Sequence, residues 1–238
     1  MRAIVLAAGA GTRLSPLTDS LPKCLVRVRG TPLIDYQLEA LQAVGVSDIV
    51  VVVGYEGDQV RRHCGSRVRY IDNPLYQSTN SIYSLHLATA EMNTDTFLFN
   101  CDIVFDAQIL QRMLVCTAAN ALAVDSQVPL IAGEMNVSYL EGRRITAVDK
   151  QIDPARAQAQ SVQLARFDME GAGLVRTEVE RLVMERRQDV FPTSAYGPLI
   201  DRGNLVAVEA GDLPWGEIDS LEDYAYVERF VLPRLTRS

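Results

Sequence analysis

Near its first residues the chain reads Leu6-Ala7-Ala8-Gly9-Ala10-Gly11-Thr12-Arg13-Leu14, at the end of the apolar run Ala3–Leu6. This pattern predicts a β-strand that ends in a glycine-rich turn. It is not a P-loop, because Arg13-Leu14 stands where Gly-Lys-Ser/Thr is needed, and it lacks the third small residue of the dinucleotide fingerprint. Two interpretations stay open: a tight structural turn, or a turn whose backbone N–H groups bind an anion beside Arg13.

Strand-like and helix-like segments alternate over the first half of the chain. Further strand-like runs are Ile49–Val53, Val68–Ile71, Phe97–Asn100 and Ala121–Val124. A helical period of apolar residues appears in Leu33–Val44, Asn80–Ala90 and Asp106–Val115, the first with Thr31 as its cap and Pro32 at its first helical position. Because the strands are apolar on both faces, the pattern predicts an α/β fold: a Rossmann-like, mostly parallel sheet flanked by helices.

The second half of the chain predicts inserted β-structure. Val137–Leu140 and Arg144–Val148 form a predicted hairpin around Gly142. A helix at Thr177–Arg187, a strand at Leu205–Glu209 and a last helix from Ser220, capped with Asp223, follow. We expect one domain over residues 1–238, with residues 1–125 and 126–238 as its two halves.

Composition narrows the function classes. The 30 acidic residues exceed the 23 basic ones, so the net charge of −7 argues against a nucleic-acid-binding face. Apolar stretches are too short to span a membrane. The four cysteines, which are Cys24, Cys64, Cys101 and Cys116, form no C-x-x-C pair, so we expect neither zinc nor disulfides, but reduced thiols in a cytoplasmic protein.

A longer signature surrounds the glycine-rich turn. Residues 9–26 contain G-x-G-T-R-L-x-P-L-T followed by P-K-x-L-V, with Cys24 where Pro or Ala is more usual. This run resembles the signature of the nucleotidyltransferases that join nucleoside triphosphates to phosphorylated sugars and alcohols. The resemblance makes residues 1–125 the nucleotide-binding half and residues 126–238 the acceptor-binding half. The nucleotide-binding residues that it implies are Leu6, Ala7, Ala8, Gly9, Gly11, Thr12, Tyr55, Asn80 and Ser81.

Two lysines stand out against the composition. Of the 23 basic residues only Lys23 and Lys150 are lysine. An ammonium is a compact charge on a thin stem, which suits a crowded phosphate site, although two surface lysines left by chance are the alternative. The resemblance implies that Lys23 contacts the triphosphate and Lys150 the acceptor's phosphate, so the expected catalytic residues are Arg13, Lys23 and Lys150.

Three carboxylates are candidate metal ligands. Asp102 ends an apolar strand-like run, and Asp106 is the better cap for the helix that follows. Glu217 and Asp219 share one face if Gly216–Asp219 is extended, although Asp219 also suits a helix cap. The resemblance implies that Asp102, Glu217 and Asp219 bind Mg²⁺. It implies in-line attack without a general base, because the acceptor's phosphate is already ionised.

A second motif points to a subgroup. Asn73-Pro74-Leu75-Tyr76 and Thr79–Leu85 resemble the N-x-x-Y…N-N-x-Y-S-L run of bacterial choline-phosphate and phosphonate cytidylyltransferases, with Ser81 in place of the second Asn. The implied reaction transfers CMP from CTP, or a nucleotidyl group from another NTP, to a small phosphorylated alcohol or phosphonate and releases pyrophosphate.

A phosphocholine-like acceptor suits aromatic and acidic side chains. The candidate acceptor-binding residues are Tyr83, Lys150, Asp189, Tyr196, Trp215 and Glu217. Two alternatives stay open: a sugar-1-phosphate nucleotidyltransferase that uses UTP, dTTP or CTP, and a non-catalytic nucleotide-sensing module. The sequence also leaves a homodimer open.

Overall fold

The computed structural model describes residues 1–236, and a mixed β-sheet runs through them. The strands are β1 (Arg2–Ala7), β2 (Arg27–Val28), β3 (Thr31–Pro32), β4 (Asp48–Val53), β5 (Arg69–Asp72), β6 (Thr96–Asn100), β7 (Ile103–Phe105), β8 (Ala121–Asp125), β9 (Asn136–Tyr139), β10 (Ile145–Asp149), β11 (Ala159–Phe167), β12 (Val206–Glu209) and β13 (Trp215–Glu217). The helices are α1 (Leu33–Ala43), α2 (Gly57–Cys64), α3 (Ser81–Leu87), α4 (Ala107–Val115), α5 (Met169–Met184), α6 (Gly197–Asp201) and α7 (Leu221–Tyr226).

The main path through the sheet has the order β10-β9-β11-β6-β1-β4-β5. Strand β1 is parallel to both β4 and β6, and β4 is parallel to β5. Strand β11 is antiparallel to β6 and carries the inserted hairpin β9–β10 on its other side. This arrangement confirms the predicted α/β class, in which a mostly parallel core sheet carries additional β-structure.

The apolar strands account for the layered core. Ala3, Val5 and Ala7 pack in a buried cluster with residues of α1, α2 and α4. Ile4 and Leu6 point the other way, into a cluster with residues of α3 and α5. Because successive side chains of a strand alternate between its faces, β1 is covered by helices on both sides.

Several predicted elements have different bounds. Pro32 is the N-cap of α1 rather than its first helical residue, and Thr31–Pro32 form β3 instead of a cap. Strand β8 pairs antiparallel with β11 rather than extending the parallel row. Helix α5 begins at Met169, not at Thr177, and is capped by Asp168, whose Oδ1 accepts a 2.7 Å hydrogen bond from the Gly171 N–H.

Strand β11 was not predicted, and its pattern shows why. Its register shifts between Ser161 and Ala165, and Gln163 within this bulge has a φ of +63°. The bulge interrupts the alternation on which strand prediction depends. The predicted capping box at the last helix is confirmed, since the Ser220 side chain accepts from the Asp223 N–H and Asp223 accepts from the Ser220 N–H. Within residues 1–236 no helix combines the length and apolar character that a bilayer span requires.

Candidate active site

A cavity of about 310 Å³ lies across the carboxyl ends of β1, β6 and β10. The following predicted site residues line it: Leu6, Ala8, Gly9, Gly11, Thr12, Arg13, Lys23, Asn80, Ser81, Asp102, Lys150, Glu217 and Asp219. The carboxyl edge of a parallel sheet is where ligands bind in open α/β folds. The structure therefore brings the glycine-rich turn, both lysines and the three carboxylates into one site.

Gly11 lets the turn lie against Lys23. Its φ is +64°, and a Cβ placed on it would lie 3.0 Å from the Lys23 Cβ. The Thr18 hydroxyl donates a 2.8 Å hydrogen bond to the Gly11 carbonyl and thereby stabilises the conformation of the turn. Glycine is required here by both backbone conformation and space, which explains why the motif places Gly11 and Lys23 together.

Lys23 joins the turn to the carboxylates. Its side chain is only 8% exposed, and its Nζ donates a 2.8 Å hydrogen bond to Asp102 Oδ2 and another to Asp219 Oδ1. Burial by itself lowers the pKa of Lys23, but the charges of Asp102 and Asp219 outweigh it and hold this pKa above its ordinary value. Lys23 is therefore a buried cation whose charge is balanced by two acidic residues.

A short two-stranded ribbon positions the acids. Strands β7 and β13 are antiparallel, with Glu217 opposite Ile103. The Ile218 N–H donates a 2.9 Å hydrogen bond to the Asp102 carbonyl, and the Ile218 side chain is fully buried. Glu217 and Asp219 consequently point to the same side, as the extended interpretation predicted.

The three carboxylates form a cluster suited to a metal. Asp102, Glu217 and Asp219 each offer an oxygen, and these oxygens lie within 4.8 Å of one another. Burial, followed by repulsion from Asp102 and Asp219, raises the pKa of Glu217 to about 8. Asp102 Oδ1 is buried and accepts no hydrogen bond from any residue of 1–236. Mg²⁺ prefers such hard oxygen ligands, and a buried oxygen without a donor fits a cation in this position.

Two side-chain amides that were not predicted from the sequence, those of Gln163 and Asn100, form a hydrogen-bonded chain that ends at Glu217. Gln163 Nε2 donates a 2.6 Å hydrogen bond to Glu217 Oε2, and Gln163 Oε1 accepts a 2.7 Å bond from Asn100 Nδ2. Both residues line the cavity. A polar residue within the apolar segment Val162–Ala165 was the available signal, but the bulge that aims Gln163 inward depends on pairing with distant strands.

Lys150 lies at the other end of the cavity from the glycine-rich turn. It follows β10, and its Nζ lies 5.1 Å from the centroid of the Phe191 ring. Burial raises the pKa of Asp219, but nearby positive charges outweigh burial and lower this pKa. Lys23 has the largest such effect, and Lys150 has a smaller one. Met135 and Phe191, neither of which was predicted, line the cavity with it.

Two predicted nucleotide-binding residues are not part of the lining. Ala7 is buried in the core cluster with α1. The Tyr55 hydroxyl donates a 2.8 Å hydrogen bond to the Asp19 carbonyl, and its ring packs 6.2 Å from that of Tyr76, which does line the cavity. Tyr55 is therefore a neighbour of the lining residue Tyr76 and does not itself line the cavity.

Four predicted acceptor-binding residues also lie outside the lining of this cavity. Tyr83 packs against His86. Asp189 contributes its backbone carbonyl to Asn80 Nδ2. Tyr196 is buried against Phe167, and Trp215 Nε1 donates a 2.7 Å hydrogen bond to Asp125 Oδ2. Tyr83, Tyr196 and Trp215 thus contact other residues of the protein, while the Asp189 side chain is exposed. Tyr196 also lines a small adjoining cavity together with Gln163 and Phe191.

The chain matches the family model described as the MobA-like NTP transferase domain over residues 3–162. The protein belongs to this family of nucleotidyltransferases. The family match contains the glycine-rich turn, Lys23, Asp102 and Lys150, while Glu217 and Asp219 lie beyond it.

Curated relatives of this transferase include several cytidylyltransferases. It is 36% identical to CMP-5'-(3-aminopropyl)phosphonate synthase of Streptomyces rubellomurinus over 63% of this chain and 24% of that protein. It is 43% identical to choline-phosphate cytidylyltransferase of Streptococcus pneumoniae over 42% of this chain and 46% of the relative. These alignments span less than half of either relative. CTP:phosphoglutamine cytidylyltransferase of Campylobacter jejuni is 27% identical over 94% of this chain and 97% of its own.

Solved structures share the fold over nearly the whole transferase. The CTP:phosphocholine cytidylyltransferase from Streptococcus pneumoniae superposes with a TM-score of 0.78 at 24% identity, covering 95% of this chain and 97% of that one. The inositol-1-phosphate CTP transferase from T. maritima superposes with a TM-score of 0.76 at 25% identity, covering 97% of both chains. The likeness extends beyond residue 162, where the match to the family model ends.

Proposed function

We propose that the protein transfers CMP from CTP to a small phosphorylated alcohol or phosphonate and releases pyrophosphate. The observation that carries this proposal is the cavity in which the turn around Gly11, the cation Lys23 and the cluster of Asp102, Glu217 and Asp219 meet, with Lys150 opposite. The cytidylyltransferases among the relatives support cytosine as the base.

The glycine-rich turn, Arg13 and Lys23 bind the triphosphate. Gly9 has no neighbouring atom within 4 Å of the position of a Cβ, so the backbone of the turn is open to a ligand. Arg13 has a 70% exposed side chain, and its Nη2 lies 2.7 Å from Asp219 Oδ2. Forked donors and backbone N–H groups both suit phosphate oxygens.

Lys23 lies between the carboxylate cluster and the turn that binds the phosphates. In this structure the ammonium balances the charge of Asp102 and Asp219 and keeps both directed toward the turn. Asp102, Glu217 and Asp219 are the residues that would hold Mg²⁺. A bound Mg²⁺ supplies charge neutralisation on the polyphosphate. Gln163 fixes the orientation of the Glu217 carboxylate, as the supporting shell of metal ligands does.

Lys150 binds the phosphate or phosphonate of the acceptor. The acceptor's oxygen is ionised near neutral pH, so it attacks the α-phosphorus without losing a proton. A new P–O bond forms while the bond to pyrophosphate breaks, and pyrophosphate departs with the electron pair. The chain's contribution is alignment and charge stabilisation.

Pyrophosphate release tests the proposal directly. CTP, UTP, dTTP and GTP are each paired with choline phosphate, aminoethylphosphonate, a polyol phosphate and a hexose 1-phosphate in the presence of Mg²⁺. We expect CTP with a phosphate ester or phosphonate to be the best pair. If UTP or dTTP with the hexose 1-phosphate is the best pair, the proposal is overturned in favour of a sugar nucleotidyltransferase. Binding of CTP without turnover of any pair would support a nucleotide-sensing module.

A further inference from the structure

The cavity has two ends because of the order of strands in the sheet. The turn after β1 and the segment after β5 lie on one side of β6, and β11, β9 and β10 lie on the other. If the triphosphate occupies the turn, as the proposed function requires, the acceptor occupies the opposite end. We call that end, lined by Asn100, Met135, Lys150, Gln163 and Phe191, the acceptor end.

The carboxylates that line the cavity already have partners within the protein. Among the described residues, 1–236, the acidic side chains that line it are Asp102, Glu217 and Asp219, and all three belong to the metal cluster. Lys23 bonds two of these residues, and Gln163 bonds the third. No other acidic side chain of 1–236 lines the cavity to pair with a cation on the acceptor.

The aromatic ring at the acceptor end is also occupied by a cation. Lys150 Nζ lies 5.1 Å from the Phe191 ring centroid. A ring face attracts ammonium groups, and here the chain itself provides one. Among residues 1–236, the other aromatic residue of the lining is Tyr76, which lies beside Gly54 and Tyr55 at the nucleotide end. Tyr196 lines an adjoining cavity of only about 30 Å³, which has room for about one water molecule and not for a quaternary ammonium. A quaternary ammonium at the acceptor end would therefore meet the positive charge of Lys150.

The acceptor end offers hydrogen bonds instead. Asn100 donates one amide N–H to Gln163, and Gln163 donates one to Glu217. Each amide group carries a second N–H, and the Asn100 side chain also has its carbonyl oxygen. These groups bind hydroxyl or amide groups of a ligand in a partly buried setting, where an unmade hydrogen bond is costly.

We infer that the acceptor is a phosphate ester or phosphonate whose organic part carries no cation and presents hydroxyl or amide groups to Asn100 and Gln163. Lys150 then serves the acceptor's phosphate, and its charge excludes choline-like and aminoalkyl groups. This inference rests on the proposed function for the position of the acceptor, and it narrows the class of acceptor. It departs from the phosphocholine-like acceptor that the sequence motif suggested.

A matched pair of esters tests the role of charge. Choline phosphate and 3,3-dimethylbutyl phosphate have the same shape and differ by one positive charge. With CTP and Mg²⁺ we expect kcat/KM to favour the neutral ester by about tenfold, because of repulsion by Lys150. Equal values, or a preference for choline phosphate, would overturn the inference. Glycerol 1-phosphate should exceed the dimethylbutyl ester, and the reverse order would overturn the role of the amides.

The Lys150→Gln variant, with Lys150→Arg as its control, checks that Lys150 causes the discrimination. Removing the charge weakens both esters but should shift their ratio toward choline phosphate, while Lys150→Arg should preserve the ratio. An unchanged ratio in Lys150→Gln would contradict the inference. Calorimetric titration of the same esters separates the two proposals. If neither these esters nor the phosphonate is turned over, the proposed function fails, and the order of binding affinities still supports or overturns the inference about charge.

Discussion

Lys23 Nζ donates a 2.8 Å hydrogen bond to Asp102 Oδ2, although the two residues are 79 positions apart in the chain. The bond joins the loop after β1 to the loop after β6, two adjacent parallel strands. Asp219, which follows β13, completes the group. Three distant segments thus converge on one buried ammonium.

Replacing Lys23 should strongly lower turnover. We expect Lys23→Ala to lower kcat at least about a hundredfold, because a preorganised charge at the triphosphate is lost. The variant also leaves Asp102 and Asp219 without their shared counter-charge, so Mg²⁺ should raise its melting temperature more than that of the wild type. Arg62→Ala, an exposed charge on α2, is the control and should behave like the wild type. Near-normal turnover of Lys23→Ala would contradict the proposed role of this lysine in the reaction.

Gln163 should control metal affinity rather than folding. We expect Gln163→Leu to weaken Mg²⁺ binding about tenfold or more, because Glu217 loses the 2.6 Å hydrogen bond that orients it. Calorimetric titration and the Mg²⁺ dependence of kcat measure this. Gln160→Leu, on the same strand but outside the cavity lining, is the matched control. An Mg²⁺ affinity that is unchanged in Gln163→Leu would show that Glu217 needs no support.

Two glycines of α5 should respond oppositely to alanine. A Cβ on Gly171 would lie 1.8 Å from Asn120 Oδ1, whereas the corresponding position at Gly173 has no neighbour within 4 Å. We expect Gly171→Ala to lower the free energy of unfolding by about 1–3 kcal/mol. Gly173→Ala should raise it by about 0.5–1 kcal/mol. Urea denaturation of the two variants checks this, and equal effects would contradict the packing of α5 against Asn120.

A surface ion-pair network should give stability that is lost in acid. Arg69 bonds both Asp48 and Glu91 at 2.8–2.9 Å. Burial alone would raise the pKa of Asp48, but hydrogen bonds from Arg69 and Arg2 outweigh it and lower this pKa. Hydrogen bonds from Arg69 likewise lower the pKa of Glu91. A lowered folded-state pKa means that the stabilisation is complete above the unfolded-state pKa of about 4 and disappears as the pH falls through the folded value.

The Arg69→Gln variant tests this network. We expect it to lower the free energy of unfolding at pH 7 by about 1 kcal/mol or less, since the pairs are partly exposed, and to have a smaller effect near pH 3. Urea denaturation at both pH values measures the difference. The same loss at both pH values would show that Arg69 acts by packing instead of by charge.

The sequence predicted the parts of the site that depend on local patterns. The turn around Gly11 and the neighbouring Lys23 carry their own signature, and Glu217 and Asp219 share a face because a strand alternates. The capping box of Ser220 and Asp223 is likewise local. Each of these follows from residues close together in the chain.

Features that depend on tertiary packing could not be predicted from local sequence patterns. Gln163 reaches the site only because β11 bulges between β8 and β6. Tyr196 and Trp215 have the chemistry of ligand-binding aromatics, yet one is buried against Phe167 and the other bonds Asp125. Burial of an aromatic ring is decided by elements far away in sequence, so composition alone cannot distinguish a packing residue from a binding residue.

We propose that the glycine-rich turn and the carboxylate cluster form a single site for a metal–nucleotide complex. A crystal structure of the protein with Mg²⁺ and a non-hydrolysable CTP analogue tests it most directly. We predict the triphosphate on the backbone of Gly9–Thr12 beside Lys23, with the ion bound by Asp102 and Asp219. A nucleotide bound elsewhere, or an ion held without these two aspartates, would contradict a shared site.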